Sequence, residues 1–144
     1  MKHLSFALVV GSVLLSGSNA LAQETAKVTI TITISEKTPS FSDQRLVVML
    51  YHDNPLEGDR GDTAVDRHID AKFSHVVGKK TVATLTLGEK AKRKFDVEYS
   101  VSVTVFDKAS KRTHLGEIDG NPGPFPVLTG GTPNKLAVVV NPAR

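Results

Sequence analysis

The 144-residue chain has no cysteine and no tryptophan, only two tyrosines and two methionines. Without cysteine there can be no disulfide, no thiolate metal site, no acylated lipoprotein cysteine and no cysteine nucleophile, so the fold depends on packing alone. The scarcity of aromatic side chains disfavours a carbohydrate site built on stacking. After residue 22 no apolar run is long enough to cross a bilayer as a helix. The basic excess is slight, with 18 Lys and Arg against 15 Asp and Glu, and it is spread along the chain. That argues against nucleic acid as a partner.

What is present begins with residues 1–22. Met1, Lys2 and His3 precede an apolar run over residues 4–15, and Ala20-Leu21-Ala22 places small residues at the −3 and −1 positions before Gln23. This is the three-part pattern of a secretory signal peptide, and cleavage before Gln23 is expected. The exported product would then be residues 23–144, a single domain of secreted or periplasmic location.

The rest is written in period two, the pattern of half-buried strands. Residues 27–35 alternate Val28, Ile30, Ile32 and Ile34 with Thr29, Thr31 and Thr33. Residues 45–52 are continuously apolar from Leu46 to Tyr51 and read as a central strand. In residues 65–73, Val65, Ile69, Ala71 and Phe73 are expected inward, with Asp66, His68, Asp70 and Lys72 outward and Arg67 marking an edge. Residues 81–87 form a further strand, and residues 88–94 a charged connection with room for one helical turn. Along residues 95–105, Phe95, Val97, Tyr99, Val101, Val103 and Val105 share the buried face. Strands follow at 113–118 and 135–140, with a short extended piece at 125–128. About seven strands at short spacing predict an all-β domain, an antiparallel two-sheet sandwich of Ig-like or transthyretin-like kind.

Residues 46–51, 84–87, 95–105 with Tyr99 near the centre, and Pro126-Val127-Leu128-Thr129-Gly130 together give a pattern that resembles the YbaY/YscW type of secretion-lipoprotein domain. The resemblance implies a small envelope β-sandwich, in some cases an assembly helper, and not an enzyme. The chain departs from it in lacking the acylated cysteine, in its long 53–66 loop and in residues 116–120.

Two loops are candidates for engaging a protein partner. The 53–62 loop, with two glycines, one proline and three aspartates, offers Asp59, Arg60 and Asp62, and Arg60-Gly61-Asp62 spells an integrin-type tripeptide. The proline- and glycine-rich stretch 119–126 is stiff and short of backbone donors, and offers Asn121, Pro122 and Phe125 either to a partner or to the covering of a sheet edge. An alternative is a divalent metal ion held by His52, Asp66, His68, Asp70 and His75, since carboxylates and imidazoles together suit calcium, zinc or copper; the spacing matches no established motif. No Gly-x-Ser-x-Gly elbow is present. Asp96, Glu98 and Glu117 are the nearest approach to a glycosidase carboxylate set, and read more simply as a solvent face balanced by Lys108, Lys111 and Arg112. The expected function is that of an exported, non-enzymatic binding or accessory domain of the cell envelope, with no cofactor.

Overall fold

Alternation of Ile and Val with Thr makes β1 (Val28–Ile34) a strand with one apolar face, and Val28, Ile30, Ile32 and Ile34 are all essentially inaccessible to solvent. Burying such side chains contributes on the order of 1.5–3 kcal/mol each. A computed structural model describes residues 24–53, 63–129 and 132–144; the expected signal peptide, Asp59, Arg60 and Asp62 lie outside them. The described residues contain no helix, and the connection at 88–94 is a turn rather than a helical one.

The remaining strands are β2 (Phe41–Asp53), β3 (Thr63–His75), β4 (Thr81–Leu87), β5 (Glu98–Phe106), β6 (Arg112–Ile118), the short β7 (Asn121–Pro122) and β8 (Phe125–Val127), and β9 (Lys135–Pro142). They form one sheet in the order β3-β2-β5-β6-β9-β1-β4, with β7 on β6 and β8 on β5. This corrects the expected two-sheet Ig-like or transthyretin-like sandwich. The sheet curls until its edge strands β3 and β4 approach each other, giving a nearly closed barrel around one core. A wholly antiparallel arrangement is also overturned, because β1 runs parallel to β9, Thr29 opposite Lys135 through Thr33 opposite Val139.

The core is filled by every second residue of four interior strands, including Leu46, Val48 and Leu50 of β2, Tyr99 to Val105 of β5, and Leu136, Val138 and Val140 of β9. Gly116 on β6 belongs to this interior. A Cβ there would stand 2.6 Å from Val138 Cγ1 and 2.7 Å from Val103 Cβ, so only glycine permits the approach. β5 then divides its pairing: it meets β6 along Thr104–Phe106 and β8 along Tyr99–Val101. The proline-rich stretch thus fills the gap where β5 and β6 part, instead of covering a sheet edge.

β3 departs most from expectation. Between the pairs Gln44–Phe73 and Leu46–Asp70 the strand gains one residue on its partner, a β-bulge that turns it over. Paired residues share a face, so Asp70, His68 and Asp66 lie on the side of Leu46, Val48 and Leu50. Ile69 and Arg67 lie outside with Val47 and Met49, and Ile69 is 46% exposed. The acids are tolerated inward because β3 is an edge whose neighbour across the gap, β4, does not pair with it, so Asp66 and His68 remain wet. Inward charges also protect an edge from pairing with another chain.

Candidate interaction surface

Strand direction sorts the connections to two ends. The β2–β3 loop, the 88–97 connection, the start of the described chain and the 119–134 segment leave from one end, where Asp53 pairs with Glu98 and Tyr99 with Val127. Residues 119–126 and the strand ends Asp53 and Thr63 are therefore at the same end; residues 54–62 between those two strand ends lie outside the described residues. Within the proline-rich stretch, Asn121 and Pro122 are exposed on β7, whereas Phe125 is buried beside β5 and faces the core. The Phe125 side chain belongs to the buried core cluster and is not presented at the surface.

The feature not anticipated at this end is Phe95. Alternation placed it in the buried face, but β5 begins at Glu98, and Phe95 is 76% exposed. The cause is Tyr99, the largest fully buried side chain, whose hydroxyl accepts the Lys94 N–H at 2.8 Å and draws the chain into a turn just ahead of the strand. The residues before it are tied to the N-terminal segment: Ala26 N–H donates to Ala91 O at 2.8 Å and Arg93 N–H to Glu24 O at 2.9 Å.

Arg93 holds Phe95 in place. Its guanidinium lies over the Phe95 ring, 5.1 Å from the centroid. The same group donates to Glu24 Oε2 at 2.9 Å and to the Leu128 carbonyl, while its buried Nε has no hydrogen-bond partner. Leu128 accepts this contact from a left-handed backbone, φ +61°. Beside Arg93 is a cleft of about 340 Å³ whose lining includes Lys27, Lys135, Thr29 and Asn134. An exposed aromatic ring stacked on a fixed cation, next to a cationic cleft, suits an apolar group joined to an anion. The sequence signal was the basic run Lys90, Lys92, Arg93 and Lys94 directly before Phe95.

The residues of the metal alternative are partly assembled. Asp66, His68 and Asp70 stand in a row on one face of β3, where Asp66 reaches Gly88 N–H past the end of β4 and Asp70 accepts the N–H of Lys72. His75 is far along the strand and 2% exposed, with Nδ1 at 2.9 Å from Thr81 Oγ1 and Nε2 at 3.1 Å from Thr38 O, so both ring nitrogens are engaged. His52 lies on β2 with its ring edge-on to Tyr99. Among the described residues no group of three His, Asp or Glu side chains converges to hold a metal ion. The glycosidase-like carboxylates do not meet either: Glu98 lies opposite Asp53, and Glu117, opposite Val139 and Pro122, accepts a hydrogen bond from Asn141 at 2.8 Å.

No protein-family model matches the chain, and no curated protein matches it. The fold is similar to that of a solved structure, an alternative pilotin from the type II secretion system of Vibrio cholerae. The TM-score is 0.53 at 15% sequence identity, over 84% of this chain and 99% of that one. At that identity the likeness is one of fold, and it agrees at that level with the resemblance to secretion lipoproteins read from the sequence.

Proposed function

We propose that this is an exported, non-enzymatic accessory protein of the cell envelope that engages a protein partner through one end of its barrel. The observation that carries the reading is the gathering at that end of the Phe95–Arg93 pair, residues 119–129 and the ends of β2 and β3 at Asp53 and Thr63. An aromatic ring left three-quarters in solvent, yet fixed by a cation and by a turn pinned to a buried tyrosine, is a common anchor in protein interfaces. The pilotin likeness supports an accessory role through fold alone.

The test is photocrosslinking in the producing cell, with a photoreactive phenylalanine analogue at position 95, at position 121, or at position 82 on the outer face of β4. A discrete protein adduct from 95 and 121 but not from 82 is the expected result. Equal labelling from all three positions, or from 82 alone, would overturn the assignment of the partner to this end.

A further inference from the structure

We infer that the cleft beside Arg93 binds a carboxylate of the partner polypeptide while an apolar side chain next to that carboxylate packs on Phe95. This rests on the reading of the same end as a partner-binding surface, and names the chemistry that the partner brings.

The cleft has three cations from three separate parts of the chain: Lys27 before β1, Arg93 in the β4–β5 connection and Lys135 at the start of β9. Register holds two of them together. Thr29 is paired directly with Lys135 across the parallel β1–β9 ladder, and Lys27, two residues before Thr29, lines the same cleft just ahead of the strand. The Thr29 hydroxyl and the Asn134 amide supply neutral hydrogen-bonding groups on the wall.

Two of the cations already have carboxylate partners, and those pairs indicate what the site accepts. Arg93 binds Glu24 Oε2 at 2.9 Å and Lys27 binds Glu89 Oε1 at 3.1 Å, with the two glutamate side chains 63% and 67% exposed. Pairs so open to water are worth little and exchange readily. Among the described residues Lys135 makes no ion pair, so the cleft holds one cation more than its carboxylates balance. An incoming carboxylate meets Lys135 directly and competes with Glu24 for the guanidinium, whose planar donors suit a carboxylate. Because the guanidinium also lies 5.1 Å over the Phe95 ring, the group attached to that carboxylate is brought beside an exposed aromatic face. A recessed cleft of this kind favours an extended peptide over a flat membrane surface.

The carboxylate has two sources in a polypeptide, an Asp or Glu side chain and the chain terminus, and the probes separate them. The purified ¹⁵N-labelled protein is titrated with a capped tripeptide leucine-glutamate-leucine, with its glutamine counterpart, and with N-acetyl-leucyl-leucine bearing a free C-terminal carboxylate. Saturable amide shifts at Thr29, Asn134 and Lys135 are expected with at least one carboxylate peptide, at least tenfold weaker with the glutamine peptide. The double variant Lys27→Gln/Lys135→Gln should lose most of the response, and Phe95→Ala should weaken it severalfold while leaving the remaining spectrum unchanged. No response to either carboxylate peptide, saturable binding of the glutamine peptide as tight as that of the carboxylate peptides, or full binding by the double variant, would overturn the inference. So would sedimentation with phosphatidylglycerol vesicles in the absence of any peptide response, which would assign the cleft to a lipid headgroup. A protein adduct from position 95 with no carboxylate dependence would remove this inference and leave the partner reading intact.

Discussion

The carboxylate of Asp66 accepts the backbone N–H of Gly88 at 2.8 Å and so ties β3 to the end of β4 across a seam that has no strand pairing. At the other end of the seam the two strands are joined by the turn at residues 76–80, held by Gly78 N–H to Glu36 O at 2.7 Å and Val77 N–H to Ser40 Oγ at 2.8 Å. The barrel is thus closed by a covalent turn and by two side-chain hydrogen bonds, Asp66 with Gly88 N–H and His75 Nδ1 with Thr81 Oγ1, rather than by a ladder.

Gly88 should be the less replaceable partner of that bond. Its φ is +71°, and a Cβ there would fall 2.0 Å from the Ala26 carbonyl oxygen and 2.8 Å from a Leu50 methyl. Gly88→Ala is expected to cost about 2–4 kcal/mol through strain and overpacking. Asp66→Ala, which removes the hydrogen bonds from Gly88 N–H and Arg67 N–H at a wet edge, should cost about 1–2 kcal/mol, and Asp66→Asn, which keeps an acceptor, less. Urea unfolding ranks the three. An Asp66→Ala variant with unchanged stability and unchanged Gly88 amide exchange would deny the bond its closing role.

Gly116 is the second point where a missing side chain sets the fold. Gly116→Ala should destabilise by about 1–3 kcal/mol, because the added methyl meets Val103 and Val138 from opposite strands. Adding Val138→Ala removes one of the two clashes but leaves Val103 Cβ in place, so it should recover only part of the loss. A double-mutant cycle in urea measures the coupling; full additivity would mean that the methyl is accommodated elsewhere.

Much of this architecture was legible in the alternation of β1 and β5, since a period of two names the buried face wherever the strand is regular; the continuous apolar runs of β2 and β9 marked strands without naming which face is buried. It fails at β3 because one extra residue between Phe73 and Asp70 turns the strand over, and nothing in the run Asp70-Ala71-Lys72 announces the bulge. It fails at Phe95 because alternation continues past the point where Tyr99 captures Lys94 N–H and the strand has ended. The parallel partnership of β1 and β9 was hidden for another reason: a strand's alternation reports its faces, not the direction of its neighbour. Of the candidate site, exposed Asn121 and Pro122 were readable as part of a surface segment, but their place at the same end as Asp53, Thr63 and Phe95 depends on topology. Lys27, Arg93 and Lys135, widely separated in sequence, offered no local sign that they line one cleft.

The metal alternative has its own outcome. Asp66, His68 and Asp70 share a face, but His52 and His75 are held elsewhere, so calcium, zinc or copper(II) in large excess should leave the melting temperature unchanged. Mass action would raise it if the folded state bound an ion. A rise with one ion that disappears on His68→Ala with Asp70→Ala would restore that alternative.

Acid should weaken the barrel through His114. This ring is 8% exposed and its centroid lies 4.7 Å from that of Phe41, which also contacts His75 at 5.8 Å. Burial, and then the proximity of His75, hold the His114 pKa below its ordinary value of 6.5. Its Nδ1 is 3.0 Å from the Thr113 hydroxyl, which itself donates to Gln44 Oε1 at 2.7 Å, and neither partner carries a charge that would favour imidazolium. Below pH 6.5 the unfolded chain therefore takes up a proton at His114 that the folded chain resists, so protonation drives unfolding. Stability is expected to be level with respect to this group above about pH 7 and to fall as the pH drops through 6.5 toward the lower folded-state value. Urea midpoints measured from pH 8 to pH 5 should decline across that window, and His114→Gln should flatten the decline even if it lowers the midpoint at pH 8. A midpoint that rises on acidification, or a decline unchanged in His114→Gln, would place the acid sensitivity in another group.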